Sequence, residues 1–300
     1  MDVDRERVAV SYLQHLTDED LRLLSSLAGG AQEGAAAAAR LRSEPGRVLT
    51  LVEGPGAFAL AFPEEGAGAP LLPASPFLIF ALAVHETGRE LSAASYVSEW
   101  LGPHHRTPIF EVANLRDFLA SPLRRLFLTE LLASYTHVSS GSVLVPTRRG
   151  LRRRRFSELD PVRLAELLDF VSEAERPGIL RRLGDVALFL TGVFPDHTAT
   201  HGLSELEEGR LLAASGLSRE TRPAPSIPGF GDASAVELLE RLGRRWYRLA
   251  YESLPRPVAV DLRVLGELNE RFGDARRILN VLTDRYLFHF RERWFGISGS

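Results

Sequence analysis

Six arginines fall within eight residues: Arg148, Arg149, Arg152, Arg153, Arg154 and Arg155. A guanidinium is a planar fork of donors that matches carboxylate and phosphate oxygens. The run therefore points to an anionic ligand or partner, an acidic protein surface first and nucleic-acid phosphate second. Short segments flank Arg148-Arg149-Gly150, and glycine supplies the positive φ that a tight turn wants. Pro146 confines the first segment to an edge. A two-stranded hairpin is predicted over 141–157, with Arg152 and Arg154 on one face and Arg153 and Arg155 on the other. Helices predicted at about 111–120 and 121–138 precede it. That order is also the order of a winged-helix reader, so 111–157 carries a nucleic-acid alternative. Against it, the would-be recognition helix is apolar at Leu126, Phe127, Leu128, Leu131 and Leu132, with only Arg124 and Arg125 near its start. Glu158 and Asp160 are close enough in sequence to pair with some of the arginines.

Carboxylates and imidazoles form the second constellation. Glu86 and Glu90 lie one helical turn apart, Glu130 and His137 are seven apart, and Asp185 sits in an apolar run. Helical bundles hold paired metals with such side chains, which gives a metal-dependent enzyme as a further alternative. The signatures that usually accompany those sites are missing. No Glu-x-x-His pair recurs, and His85-Glu86 is followed by Thr87-Gly88-Arg89 rather than by the spacing of a zinc protease. Arg89 is an ordinary ion partner for both glutamates. No metal site is assigned, these five remain weak candidates, and no cofactor is expected. His104-His105 and the pair His197 and His201 read as loop or surface residues. Gly229-Phe-Gly231 lacks the third glycine and the preceding strand of a dinucleotide fingerprint, and no Gly-x-Ser-x-Gly elbow occurs.

Composition removes more. The 300 residues include 36 basic and 39 acidic side chains, no cysteine, and no lysine, so every basic residue other than histidine is arginine. Without cysteine there is no disulfide, thiol nucleophile or iron–sulfur cluster. Without lysine there is no Schiff base and no phosphate-binding lysine of a P-loop. Residues 1–100 carry 7 basic and 14 acidic side chains, residues 101–200 carry 14 and 11, and the remainder 15 and 14. A basic middle within an acidic chain favours an anionic partner, although an acidic remainder opposes approach to DNA.

These residues must be positioned by helices. Ser75-Pro76, Ser121-Pro122 and Asp160-Pro161 each place a capping oxygen before a proline at the first helical position, and Ser234 with Glu237 reads as a capping box. Apolar residues return at three- and four-residue spacing from Ala235 to Ala250 and from Ile278 to Phe290. A helix opening at Phe77 is predicted to run to Trp100. The fold class is mostly α: about ten helices in one helical globule with a single basic β-hairpin. Residues 1–217 are expected as a helical body, 218–233 as a Pro/Gly-rich loop, and 234–300 as helices packing on the same globule. Gly54 to Ser75 also reads as loop. The apolar runs Pro76–Val84 and Val186–Pro195 are far shorter than the roughly 20 residues of a membrane helix, and the polar, acidic N-terminus is not a secretory signal. A cytoplasmic protein without a membrane partner is expected. The amphipathic terminal helices leave room for a homodimer.

The segment Gly184-Asp185-Val186-Ala187-Leu188-Phe189-Leu190-Thr191-Gly192-Val193-Phe194-Pro195 resembles a Gly-Asp-x-x-Leu-Phe-x-x-Gly-x-Phe-Pro element of uncharacterised bacterial helical proteins. The resemblance implies a helical fold and supplies no catalytic residue. Read physically, two glycines eight apart suit close helix packing, and Asp185 suits a hydrogen bond beside a buried face. The leading expectation is a non-catalytic regulatory or interaction protein whose basic hairpin binds an acidic partner.

Overall fold

The computed structural model describes residues 3–27, 34–62, 74–103, 105–137, 140–147, 150–217, 233–255, 262–288 and 294–295, with backbone alone at 34–35, 140–147, 150–156 and 233–234. Fourteen α-helices occur among the described residues. The count exceeds the expected ten because several are only one or two turns long. The chain forms two compact units. One takes residues 1–97, 110–136 and 284–294, the other 98–109, 137–283 and 295–300.

The first unit holds α1 (Val3–His15), α2 (Asp18–Leu27), α3 (Gly34–Ser43), α4 (Pro45–Glu53), α5 (Pro55–Ala61), α6 (Pro76–Ala93), α7 (Ala113–Ala120) and α8 (Pro122–Ser134). Every residue of α6 from Phe77 to His85 is buried. A helix apolar on all sides must be surrounded, and α4, α5, α7 and α8 all pack on this one. Its start is as predicted: Ser75 Oγ accepts from the Leu78 amide at 3.2 Å ahead of Pro76. Its end is not. α6 stops at Ala93, and the aromatic and β-branched run from Tyr96 to Trp100 leaves the helical path for a strand. Residues 54–75 are not all loop either, because Pro55 opens α5 over a run of alanine, phenylalanine and leucine. At the start of α2, Thr17 Oγ1 accepts from the Asp20 amide at 3.1 Å, while Asp20 accepts from the Thr17 amide at 2.8 Å. The other carboxylate oxygen of Asp20 accepts from the Ser75 amide at 2.8 Å, which fixes the entry to α6.

The second unit holds β1 (Val97–Gly102), which starts at the unit boundary, β2 (His105–Ile109), β3 (Ser140–Thr147), β4 (Gly150–Ser157), α9 (Pro161–Glu166), α10 (Arg176–Val193), α11 (Pro195–Thr200), α12 (Glu205–Ala214), α13 (Ala233–Glu252) and α14 (Arg263–Leu282). β3 and β4 form the expected hairpin, antiparallel from Ser140 opposite Ser157 to Thr147 opposite Gly150. β1 and β2 form a second two-stranded sheet, whose first strand takes up Val97 to Trp100, expected from sequence as the end of α6. The centre of the unit is the stack of α10, α13 and α14. Glycines permit its closeness. A Cβ at Gly184 would stand 2.6 Å from the Tyr247 ring, one at Gly192 would stand 2.7 Å from Leu279 Cβ, and one at Gly243 would stand 2.5 Å from the Phe272 ring. Arg276 of α14, only 9% exposed, ties its helix to α13 by donating to Glu240 at 2.8 Å and to β1 by donating to Glu99 at 3.3 Å. Burial works against an ionised Glu240, but Arg276 and Arg244 outweigh it and hold the carboxyl below its usual range.

The sequence-predicted caps are partly realised. Asp160 Oδ1 accepts from the Val162 and Arg163 amides at 3.1 Å, whereas Ser121 makes no side-chain cap bond. The Ser234 side chain lies outside the described residues. A full capping box stands instead at Ser204 and Glu207. Residues 218–232 and the turn Arg148-Arg149 also lie outside the described residues. Among the described residues, no helix is long and apolar enough to cross a membrane.

Candidate functional site

The clearest candidate is a cavity of about 420 Å³ in the first unit, lined by Arg5, Glu53, His85, Arg89, Arg116 and Arg125, with Gly88, Ser92, Leu119 and Ala120 completing the wall. Five helices supply it. α1 brings Arg5, the last residue of α4 is Glu53, and α6 brings His85, Gly88 and Arg89. α7 brings Arg116, and α8 brings Arg125. The arginines are held by what helix ends leave over. The last carbonyls of a helix have no partner within it. Arg125 donates to the Leu119 carbonyl at 2.9 Å at the end of α7, and Arg116 Nε donates to the Leu91 carbonyl at 2.7 Å at the end of α6. Arg89 donates to the carbonyl of Glu53 at the end of α4.

Charge is unbalanced around this space. Glu53 is shared: Arg5 pairs with both of its oxygens, and Arg125 reaches Oε1 at 3.0 Å. Arg89 pairs with Glu86. Among the described residues Arg116 meets carbonyls and no carboxylate. Four guanidinium groups thus face the cavity against Glu53 and, one turn from it, Glu86. Arg125 Nε is buried without a hydrogen-bond partner among the described residues, an arrangement that costs stability unless something completes it.

His85 does not add to the charge. Burial lowers its pKa well below the usual histidine value, and Arg125, Arg89 and Arg5 push in the same direction. It shares a 3.0 Å hydrogen bond with the Tyr12 hydroxyl, whose own pKa is raised by burial. The wall therefore combines fixed cations with a neutral imidazole. Chemically it can hold an anion.

The carboxylates and histidines singled out from sequence do not come together. Glu86 pairs with Arg89, Glu90 with Arg285, and Glu130 with His15 at 3.1 Å. His137 is exposed and belongs to the second unit, as does Asp185. Asp185 is buried beside Gly184 and accepts from the Tyr247 hydroxyl at 2.9 Å, with Arg181 at 3.9 Å. A buried hydrogen bond of this kind is what a carboxylate beside a packed helix face makes. His197 and His201 stack at 4.0 Å between ring centroids. His105 bonds the Pro103 carbonyl at 2.7 Å, and His104 lies outside the described residues. Among the described residues no group of three or more histidine, aspartate and glutamate side chains is placed to hold a metal ion.

The hairpin is described by its backbone. Arg152, Arg153, Arg154 and Arg155 stand opposite Val145, Leu144, Val143 and Ser142, so alternate arginines take alternate faces of a regular ribbon. Of the suggested acidic neighbours, Glu158 bonds Arg182 at 3.1 Å and Asp160 bonds Arg163 at 3.0 Å. The segment 111–157 is divided. α7 and α8 belong to the first unit and the hairpin to the second. Both arginines of the would-be recognition helix are engaged within the first unit, Arg125 at the cavity and Arg124 over the Phe118 ring at 5.2 Å.

Of the cavity residues, the sequence singled out His85, beside Glu86 in a failed zinc-protease spacing, Arg89, as an ion partner, and Arg125, as one of two charges on α8. The remainder come from distant segments with no common spacing. Their only sequence signal is that each arginine falls near a helix end. A scan against models of protein families matches none, and searches of curated proteins and of solved structures give no significant match.

Proposed function

We propose that this is a non-catalytic, cytoplasmic binding protein whose ligand is an anion held in the arginine-lined cavity of the first unit. The observation that carries the reading is the excess of guanidinium over carboxylate around one cavity, with Arg116 bonded to carbonyls and to no carboxylate among the described residues. Guanidinium forks bind oxyanions by paired charge-assisted hydrogen bonds, and a wall that is partly screened from water strengthens them. The test is titration calorimetry with phosphate, sulfate, citrate and acetate at constant ionic strength. Saturable binding of at least one anion, weakened by Arg116→Gln, supports the reading. Absence of saturable binding to all four refutes it, as does an Arg116→Gln variant that binds as the parent does.

An acidic protein partner on the hairpin is kept as a second reading, favoured by the register that sets four consecutive arginines along β4. It predicts a co-purifying acidic protein that is lost on replacing Arg152, Arg153, Arg154 and Arg155 together by serine and is unaffected by Arg116→Gln. Recovery of the same proteins with and without these arginines removes the hairpin as the contact. Nucleic acid is the weaker occupant, because Arg124 and Arg125 of α8 are already engaged elsewhere.

A further inference from the structure

We infer that the ligand of the cavity is a small phosphomonoester, its doubly charged head among Arg89, Arg116 and Arg125 and its organic body along the wall of Gly88, Leu119 and Ala120. The inference rests on the cavity being an anion site and names what that anion is.

The charge count selects the head. Four guanidinium groups stand against the carboxylates of Glu53 and Glu86, and His85 is neutral, so the surroundings carry a surplus of two positive charges. A monoanion leaves one of them uncompensated in a partly buried place, where unpaired charge is costly. A phosphomonoester carries about −1.5 to −2 at pH 7 and offers three acceptor oxygens.

The size of the cavity and the residue at position 88 select the body. A volume of about 420 Å³ lies within the range of small-molecule sites, roughly 300–1,000 Å³, and well beyond a bare tetrahedral ion. Gly88 lies inside α6, where glycine is less favourable than alanine by about 1 kcal/mol. Packing does not demand it. A Cβ there would meet only Leu119, at an ordinary 3.8 Å. Its effect is to leave the wall bare beside the arginines, where a ligand gains the room.

Calorimetry with glycerol 3-phosphate, sulfate, acetate and glycerol at fixed ionic strength and pH 7.5 tests both halves, on the parent and on Gly88→Leu, with Gly88→Ala as a milder variant should the leucine unfold the chain. Glycerol 3-phosphate is expected to bind more than about tenfold tighter than acetate, and glycerol not to bind. The substitution at position 88 is expected to weaken glycerol 3-phosphate more than sulfate. Acetate binding as tightly as glycerol 3-phosphate overturns the doubly charged head while the anion reading stands. Equal weakening of sulfate and glycerol 3-phosphate at position 88, or none in either variant, overturns the placement of the body. Failure of every anion to bind removes the anion reading itself.

Discussion

His85 shows how a single side chain takes its state from its neighbours. It is buried on α6, bonded to Tyr12, and surrounded by the guanidinium groups of Arg125, Arg89 and Arg5. Burial first and then the three guanidinium groups disfavour the imidazolium, so the folded protein holds His85 neutral where an unfolded chain would protonate it, below a pKa of about 6.5. The sign for stability follows. The unfolded state binds the extra proton, so stability rises with pH and is lost as pH falls below about 6.5 toward the lower folded value. Thermal unfolding from pH 7.5 to pH 5 should show a falling midpoint, and His85→Gln should make that fall shallower, since glutamine can still bond Tyr12 and takes up no proton on unfolding. Equal slopes for the two proteins would mean that His85 takes up no extra proton on unfolding, so that the fold does not hold it neutral. From sequence, His85 could be read only as a neighbour of Glu86, because the arginines that set its state arrive from α1 and α8.

At the scale of the helix, glycine means opposite things in the two units. Gly243 and Gly184 let α10, α13 and α14 approach, and a methyl group at either would run into an aromatic ring. Gly88 meets ordinary contact only. Gly243→Ala is therefore expected to destabilise by about 1–3 kcal/mol through overpacking. Gly88→Ala should stabilise by up to about 1 kcal/mol through helix propensity. Chemical denaturation followed by circular dichroism measures both, and a stabilising Gly243→Ala would show that the stack is looser than described. Much at this scale was legible in the sequence. Ser75-Pro76 and Asp160-Pro161 start helices as read, the apolar face of α13 is buried as its spacing requires, and the hairpin lies at 140–157. The departures have local causes. α6 ends early because Tyr96, Val97 and Trp100 prefer the extended chain, and α5 forms because a proline followed by small apolar residues starts a helix even within a glycine-rich stretch. The cavity was not legible. Five helices place one or more residues each, and no pattern along the chain encodes which helix ends meet.

The division of the whole molecule was hidden for a related reason. Composition marked 218–233 only as a loop between a helical body and terminal helices of the same globule, and nothing in it points to the places near residues 97, 109, 136, 283 and 294 where the chain passes between the two compact units, so that neither unit is a continuous segment. The change at residue 294 gives a sharp consequence. Trp294 belongs to the first unit and packs edge-on against Phe80 of α6 at 5.7 Å between ring centroids. Its neighbour Phe295 belongs to the second and packs on Phe189 at 5.0 Å and Phe194 at 5.9 Å. Large-to-small substitution of a buried aromatic such as Phe295 costs about 3–5 kcal/mol and less for the half-buried Trp294, and local opening follows the cooperative unit that loses the contact. Hydrogen exchange should therefore separate two adjacent substitutions. Trp294→Ala is expected to speed amide exchange in α6 and leave α10 as in the parent. Phe295→Ala is expected to do the reverse, speeding α10 and α11 while α6 keeps its protection. If both variants loosen the same helices to the same degree, the chain unfolds as one cooperative body and its two cores are not separate units of stability.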